Sequence, residues 1–69
     1  MNQLRIINGD PIDNRLVESW DTGNMNLHYD DYVKSLDPTI LAVEVEGPYD
    51  AIVITFEKEE DITWFLMRW

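Results

Sequence analysis

Two runs rich in β-branched residues, Ile40 to Glu46 and Ala51 to Glu57, flank Gly47-Pro48-Tyr49-Asp50, and no feature of this 69-residue chain restricts its fold more. Runs of this composition are strands, and the four residues between them suit a hairpin loop. Strict alternation then assigns the faces. Leu41, Val43 and Val45 share one side with Ile52, Ile54 and Phe56, while Ala42, Glu44 and Glu46 share the other with Ala51, Val53 and Thr55. The first face requires cover; the second is at least partly wet.

The cover follows directly in sequence. Behind the acidic run Glu57-Lys58-Glu59-Glu60-Asp61, the last eight residues hold two of the three tryptophans and one of the two phenylalanines. Glu59, Glu60 and Asp61 complement the positive start of a helix, and Arg68 suits its other end. Ile62, Phe65, Leu66 and Trp69 form one helical stripe, expected to lie on Leu41, Val43, Ile52, Ile54 and Phe56, and Trp64 and Met67 fall off it.

The first half of the chain reads as strand, helix, helix. Gln3 to Ile7 is a short apolar strand stopped by Asn8-Gly9-Asp10-Pro11. Asp10 is placed to cap a helix with proline at its first position, running from about Pro11 to Trp20 with Ile12, Leu16 and Trp20 four residues apart. Asp13 falls in its positive first turn, and Asp21-Thr22-Gly23-Asn24 closes it. A second helix is expected from Leu27 to Leu36, capped by Asn26, with Tyr29, Tyr32, Val33 and Leu36 on one side and Asp37-Pro38 as its end. The order strand, helix, helix, strand, strand, helix implies one α+β domain over residues 1–69, with a three-stranded antiparallel sheet and helices mainly on one face.

Composition narrows the function. The chain has no cysteine, which excludes disulfides and thiolate metal sites and makes a reducing compartment the simplest home. No stretch approaches the ~18 apolar residues of a membrane span, so a cytoplasmic protein is expected. Fourteen acidic residues against five basic ones give a formal charge of −9, which repels nucleic acid and anionic membranes alike. A protein partner with a basic surface has an electrostatic reason to approach.

Catalytic patterns are weak. His28 with Asp30 and Asp31 is the one place where an imidazole and carboxylates are sequence neighbours, too few donors for a transition-metal site; no cofactor or metal is expected. Neither serine lies in a nucleophile elbow, and the glycines at 9, 23 and 47 form no phosphate loop. A non-enzymatic protein is the reading. Its acidic residues form two candidate groups, Asp37, Glu44, Glu46 and Asp50 around the wet sheet face and Glu57, Glu59, Glu60 and Asp61 at the last helix. Both serve solubility, and both also suit imitation of the phosphates of DNA in a basic groove. Trp64 and Met67, joined by Tyr49, either wrap the core or form a hot spot for a partner or a second copy, so a homodimer stays open.

The segment from Val53 to Trp69, with its pattern Phe-x4-Asp-x2-Trp-Phe-x2-Arg-Trp, resembles the ending of small acidic proteins of tailed bacteriophages. The resemblance covers the last quarter of the chain and carries no catalytic residue. It implies a protein made in the cytoplasm of an infected cell, where such proteins bind and inhibit host enzymes acting on nucleic acids. The expected interaction residues are Glu44, Glu46, Asp50, Glu59, Glu60, Asp61, Trp64 and Met67. The alternative is a structural or assembly subunit that uses the aromatic strip of its last helix.

Overall fold

The computed structural model describes residues 2–23, 26–48 and 50–69, and has the expected α+β order. Strand β1 (Gln3–Ile7) is followed by helices α1 (Pro11–Asp21) and α2 (Tyr29–Ser35), strands β2 (Ile40–Glu46) and β3 (Ala51–Phe56), and helix α3 (Glu59–Arg68). The sheet is antiparallel throughout with order β1-β3-β2, so β3 lies in the centre. Its position explains its burial. Ile52, Ile54 and Phe56 pair with Ile6, Leu4 and Asn2 on one side and with Val45, Val43 and Ile40 on the other.

Helices cover the face carrying these residues: α3 packs on β1 and β3, α2 on β2, and α1 against β1 and α2. The core they enclose includes Leu16, Val33, Ile54, Phe56 and Phe65, all fully buried. Phe65 meets Phe56 edge to face at 5.4 Å between ring centres, and Trp69 extends the row at 6.3 Å from Phe65. Such tilted contacts suit the ring quadrupoles.

Local chemistry sets the helix ends. The Asp10 carboxylate accepts from the Ile12 N–H at 3.0 Å, with Pro11 at the first helical position. At α3 the Asp61 carboxylate accepts from the Lys58 N–H at 3.0 Å, satisfying a donor ahead of the first turn. In the hairpin, Gly47 has φ +55°, and a Cβ there would lie 2.5 Å from the Asp50 carboxylate, so only glycine fits without strain. Tyr49, Asn24 and the rest of the expected turns they belong to lie in part outside the described residues.

Four expectations require correction. Leu41 does not face the core: a β-bulge between Ile40 and Ala42 takes it out of the alternation, leaving it 54% exposed, and Ile40 faces Phe56 instead. Helix α2 begins at Tyr29 rather than Leu27, and its N-cap is His28 rather than Asn26. The Leu27 carbonyl is taken by the Trp20 indole N–H at 2.8 Å, which holds the preceding segment outside the helix. Leu66 lies at the exposed margin of α3, because α3 sits over β1 and β3 and its inner side is made by Ile62, Phe65 and Trp69. Asp37 is buried rather than part of a wet acidic face, as described below.

Candidate functional site

The expected interaction residues fall on two separate surfaces. Glu44 and Glu46 pair with Val53 and Ala51, so they belong to the sheet face that carries no helix. Gln3, Arg5 and Ile7 share that face through their pairing with Thr55, Val53 and Ala51. Arg5 Nε donates to Glu46 Oε1 at 2.6 Å across the central strand, and Gln3 donates to the Thr55 hydroxyl at 3.3 Å. One of the two sheet glutamates is therefore already paired. The ion pair is exposed on both sides and contributes little to stability. Asp50 is exposed beside it at the hairpin, its backbone N–H bonded to the Glu46 carbonyl at 2.9 Å.

The second surface is the outer side of α3. Phe65 points into the core, and its neighbours Trp64, one residue before, and Met67, two residues after, turn outward: Trp64 is 62% and Met67 72% exposed. Glu60 precedes Trp64 by one turn, and Glu57, Glu59 and Glu60 are exposed at the same helix start. Asp61 is partly buried and committed to the Lys58 N–H, a structural duty rather than a binding one. The sheet lies between this helix and the Glu44–Glu46 face, so no single partner surface of modest size reaches both. Tyr49, the third member of the expected hot spot, lies outside the described residues.

Asp37 is removed from the acidic surface by its own turn. Its Oδ1 accepts from the Thr39 N–H at 2.9 Å and from the Thr39 hydroxyl at 2.7 Å, and Arg68 of α3 lies 3.6 Å from Oδ2. The Thr39 backbone bond, then the hydroxyl, hold its carboxyl below the usual value against the opposing effect of burial, and Arg68 adds to them.

A buried carboxylate at the opposite end of the core was not legible as a site. Asp13, 7% exposed, accepts from the Tyr29 hydroxyl at 3.2 Å and from the Gly9 N–H at 3.3 Å. Burial, then the adjacent Asp13 charge, push the Tyr29 phenol well above its ordinary range, so it remains a donor. Both residues border a cavity of about 530 Å³, lined also by Asn8, Val17, Trp20, Asn26, Leu27, His28 and Ile52. The Trp20 and Tyr29 rings meet there at 5.6 Å, tilted by 60°. His28 stands at the cavity rim as the N-cap of α2. Among the described residues no group of three or more His, Asp or Glu side chains could hold a metal ion, and no helix is long and apolar enough to cross a membrane.

Comparison of the chain with protein-family models, with curated proteins and with solved structures finds no match.

Proposed function

We propose that this is a non-enzymatic protein-interaction domain that docks through the outer side of α3 and blocks the surface it occupies. The observation that carries this reading is the pair Trp64 and Met67, 62% and 72% exposed on a helix whose inner side is already filled by Phe65. Tryptophan is among the residues most enriched at binding hot spots, where it fills a desolvated pocket of the partner. The partner it fits has an apolar depression with a basic rim, since Glu60 lies one turn before Trp64, Glu57 and Glu59 are exposed at the same helix start, and the whole chain carries −9. A basic groove of a nucleic-acid-processing enzyme of a bacterial host cytoplasm answers that description, and the C-terminal resemblance to bacteriophage proteins supports the same target class. Glu44, Glu46 and Asp50 then act at a distance, by steering the encounter.

The test compares what wild type, Trp64→Ala/Met67→Ala and Glu59→Lys/Glu60→Lys retain from bacterial lysate at low and high salt, with circular dichroism to verify folding. A single retained protein, lost with either double variant and in high salt, is expected. Equal retention by folded variants overturns the proposal. The second reading, an assembly subunit, is favoured by the exposure of Leu66 beside Trp64 and Met67, which widens the apolar strip. There, charge reversal leaves association unchanged and Trp64→Ala abolishes it.

A further inference from the structure

We propose that the cavity between α1 and the start of α2 is a binding site for a small organic amine, its ammonium group held by Asp13 and its apolar body by Trp20, Tyr29, Val17, Leu27 and Ile52. This site is separate from the α3 surface and does not depend on its function.

The charge of the ligand follows from Asp13. A carboxylate buried this far is normally matched by a cation or by a full set of hydrogen bonds. Asp13 has two neutral donors, both at the long end of the range, and no basic partner among the described residues. Three of the five basic side chains are engaged elsewhere: Arg5 with Glu46, Arg68 with Asp37, and Arg15 with the Trp69 carbonyl. Each carboxylate oxygen keeps acceptor capacity beyond the single bond it makes, and an ammonium group supplies the charge and the donors together.

The body of the ligand follows from the remaining walls. Trp20 is fixed in place by its bond to the Leu27 carbonyl, and its ring borders the cavity with that of Tyr29. Electron-rich ring faces attract cations, and apolar side chains complete the wall. A volume of about 530 Å³ lies within the usual size of small-molecule pockets and leaves room for a ring or branched chain behind the amine. The hydroxyl of Tyr29, itself part of the cavity lining, holds the Asp13 carboxylate in place through its hydrogen bond. A strongly negative chain also concentrates cations near its surface, which raises the rate of encounter.

The proposal is tested by titrating isotope-labelled protein with phenethylamine at neutral pH and following amide and indole N–H signals by NMR. Phenethyl alcohol, of nearly the same shape and without charge, is titrated in parallel. Saturable shifts at the Trp20 indole and the Gly9 and Ile52 amides are expected, with the amine binding about tenfold or more tighter than the alcohol. Asp13→Asn brings the amine to the level of the alcohol. Equal affinities in the wild-type protein overturn the proposal without any variant, so a poorly folded Asp13→Asn does not weaken the test. Amine shifts confined to Glu57, Glu59, Glu60 and Glu44 overturn it as well, as general attraction to the acidic surface. A blocked lysine amide, titrated in the same way, separates a free amine from a lysine side chain offered by another protein; tighter binding of the lysine amide overturns the small-molecule assignment.

Discussion

The two ends of the apolar core use their aromatic residues in opposite ways. Beneath α3, Phe56, Phe65 and Trp69 form a row of ring on ring, and the one polar ring atom of that row, Trp69 Nε1, is buried without a hydrogen-bond partner among the described residues. At the α1–α2 end every ring carries a polar group that is engaged: Tyr29 with Asp13, Trp20 with the Leu27 carbonyl, and Tyr32 with Ser19 at 2.5 Å. The row of rings at the dry end holds by shape and has no group that titrates. The hydrogen-bonded end is directional, responds to pH, and borders the cavity. Rigidity from packing and rigidity from polar contacts thus occur side by side within 69 residues, and each leaves a different kind of surface open.

The largest expected effect breaks the dry end. Phe65→Ala removes a fully buried ring and should destabilise the domain by about 3 to 5 kcal/mol in urea unfolding, close to the whole stability of a small domain. A loss under ~1 kcal/mol would mean that the row of rings is not the clamp it resembles.

At the hydrogen-bonded end, Tyr29→Phe should lose about 1 kcal/mol near neutral pH. Its sharper signature is at high pH. The folded protein holds the Tyr29 proton to a higher pH than the unfolded chain, which ionises near 10. That stability is complete below about pH 10 and declines as pH rises beyond it. Wild type should therefore lose stability between about pH 10 and 11 more steeply than Tyr29→Phe, and parallel curves would sink the assignment.

Asp37 and Arg68 lie at the margin of the α3 end, and acid tests them. The folded Asp37 carboxyl titrates below its ordinary value of 3.8, so its contribution is complete above that pH and is lost as pH falls through the lower folded value. Thr39→Val removes the hydroxyl donor and leaves the backbone one, so it should cost about 0.5 kcal/mol at neutral pH and reduce the acid-dependent loss in part. The smallest effect is at Trp64. Trp64→Ala should change unfolding stability by no more than about 0.5 kcal/mol, which would confirm that the outer side of α3 is not needed for folding.

Much of this arrangement is legible in the sequence, for reasons that also explain the exceptions. Ile12, Leu16 and Trp20, or Tyr29, Tyr32 and Val33, repeat at helical spacing because a single side of each helix is buried, and they are found where the spacing places them. Trp64 and Met67 are exposed because they lie off such a stripe. Leu41 misleads because alternation counts residues, and one bulged residue shifts the count on one side of it only. Leu27 is expected as the first residue of α2, yet its carbonyl accepts from an indole seven residues earlier, a bond that helical periodicity does not record. Asp13 is the instructive case. In sequence it is an ordinary first-turn acid, and its burial depends on Tyr29, sixteen residues further on in the chain. The cavity is missed for the same reason, since its walls come from β1's turn, α1, the start of α2 and β3.

The strand order carries a consequence in time. β2 and β3 are neighbours in sequence and can close as a hairpin within microseconds, whereas β1 pairs with β3 across more than forty residues, Ile7 opposite Ala51. The chain must organise the hairpin and helices before that closure is rewarded. β1, the first of these three strands in the chain, is thus expected to be the last to find its place, and until it does one side of β3 stays unpaired. The most buried strand of the finished protein is the most exposed to misassembly on the way there.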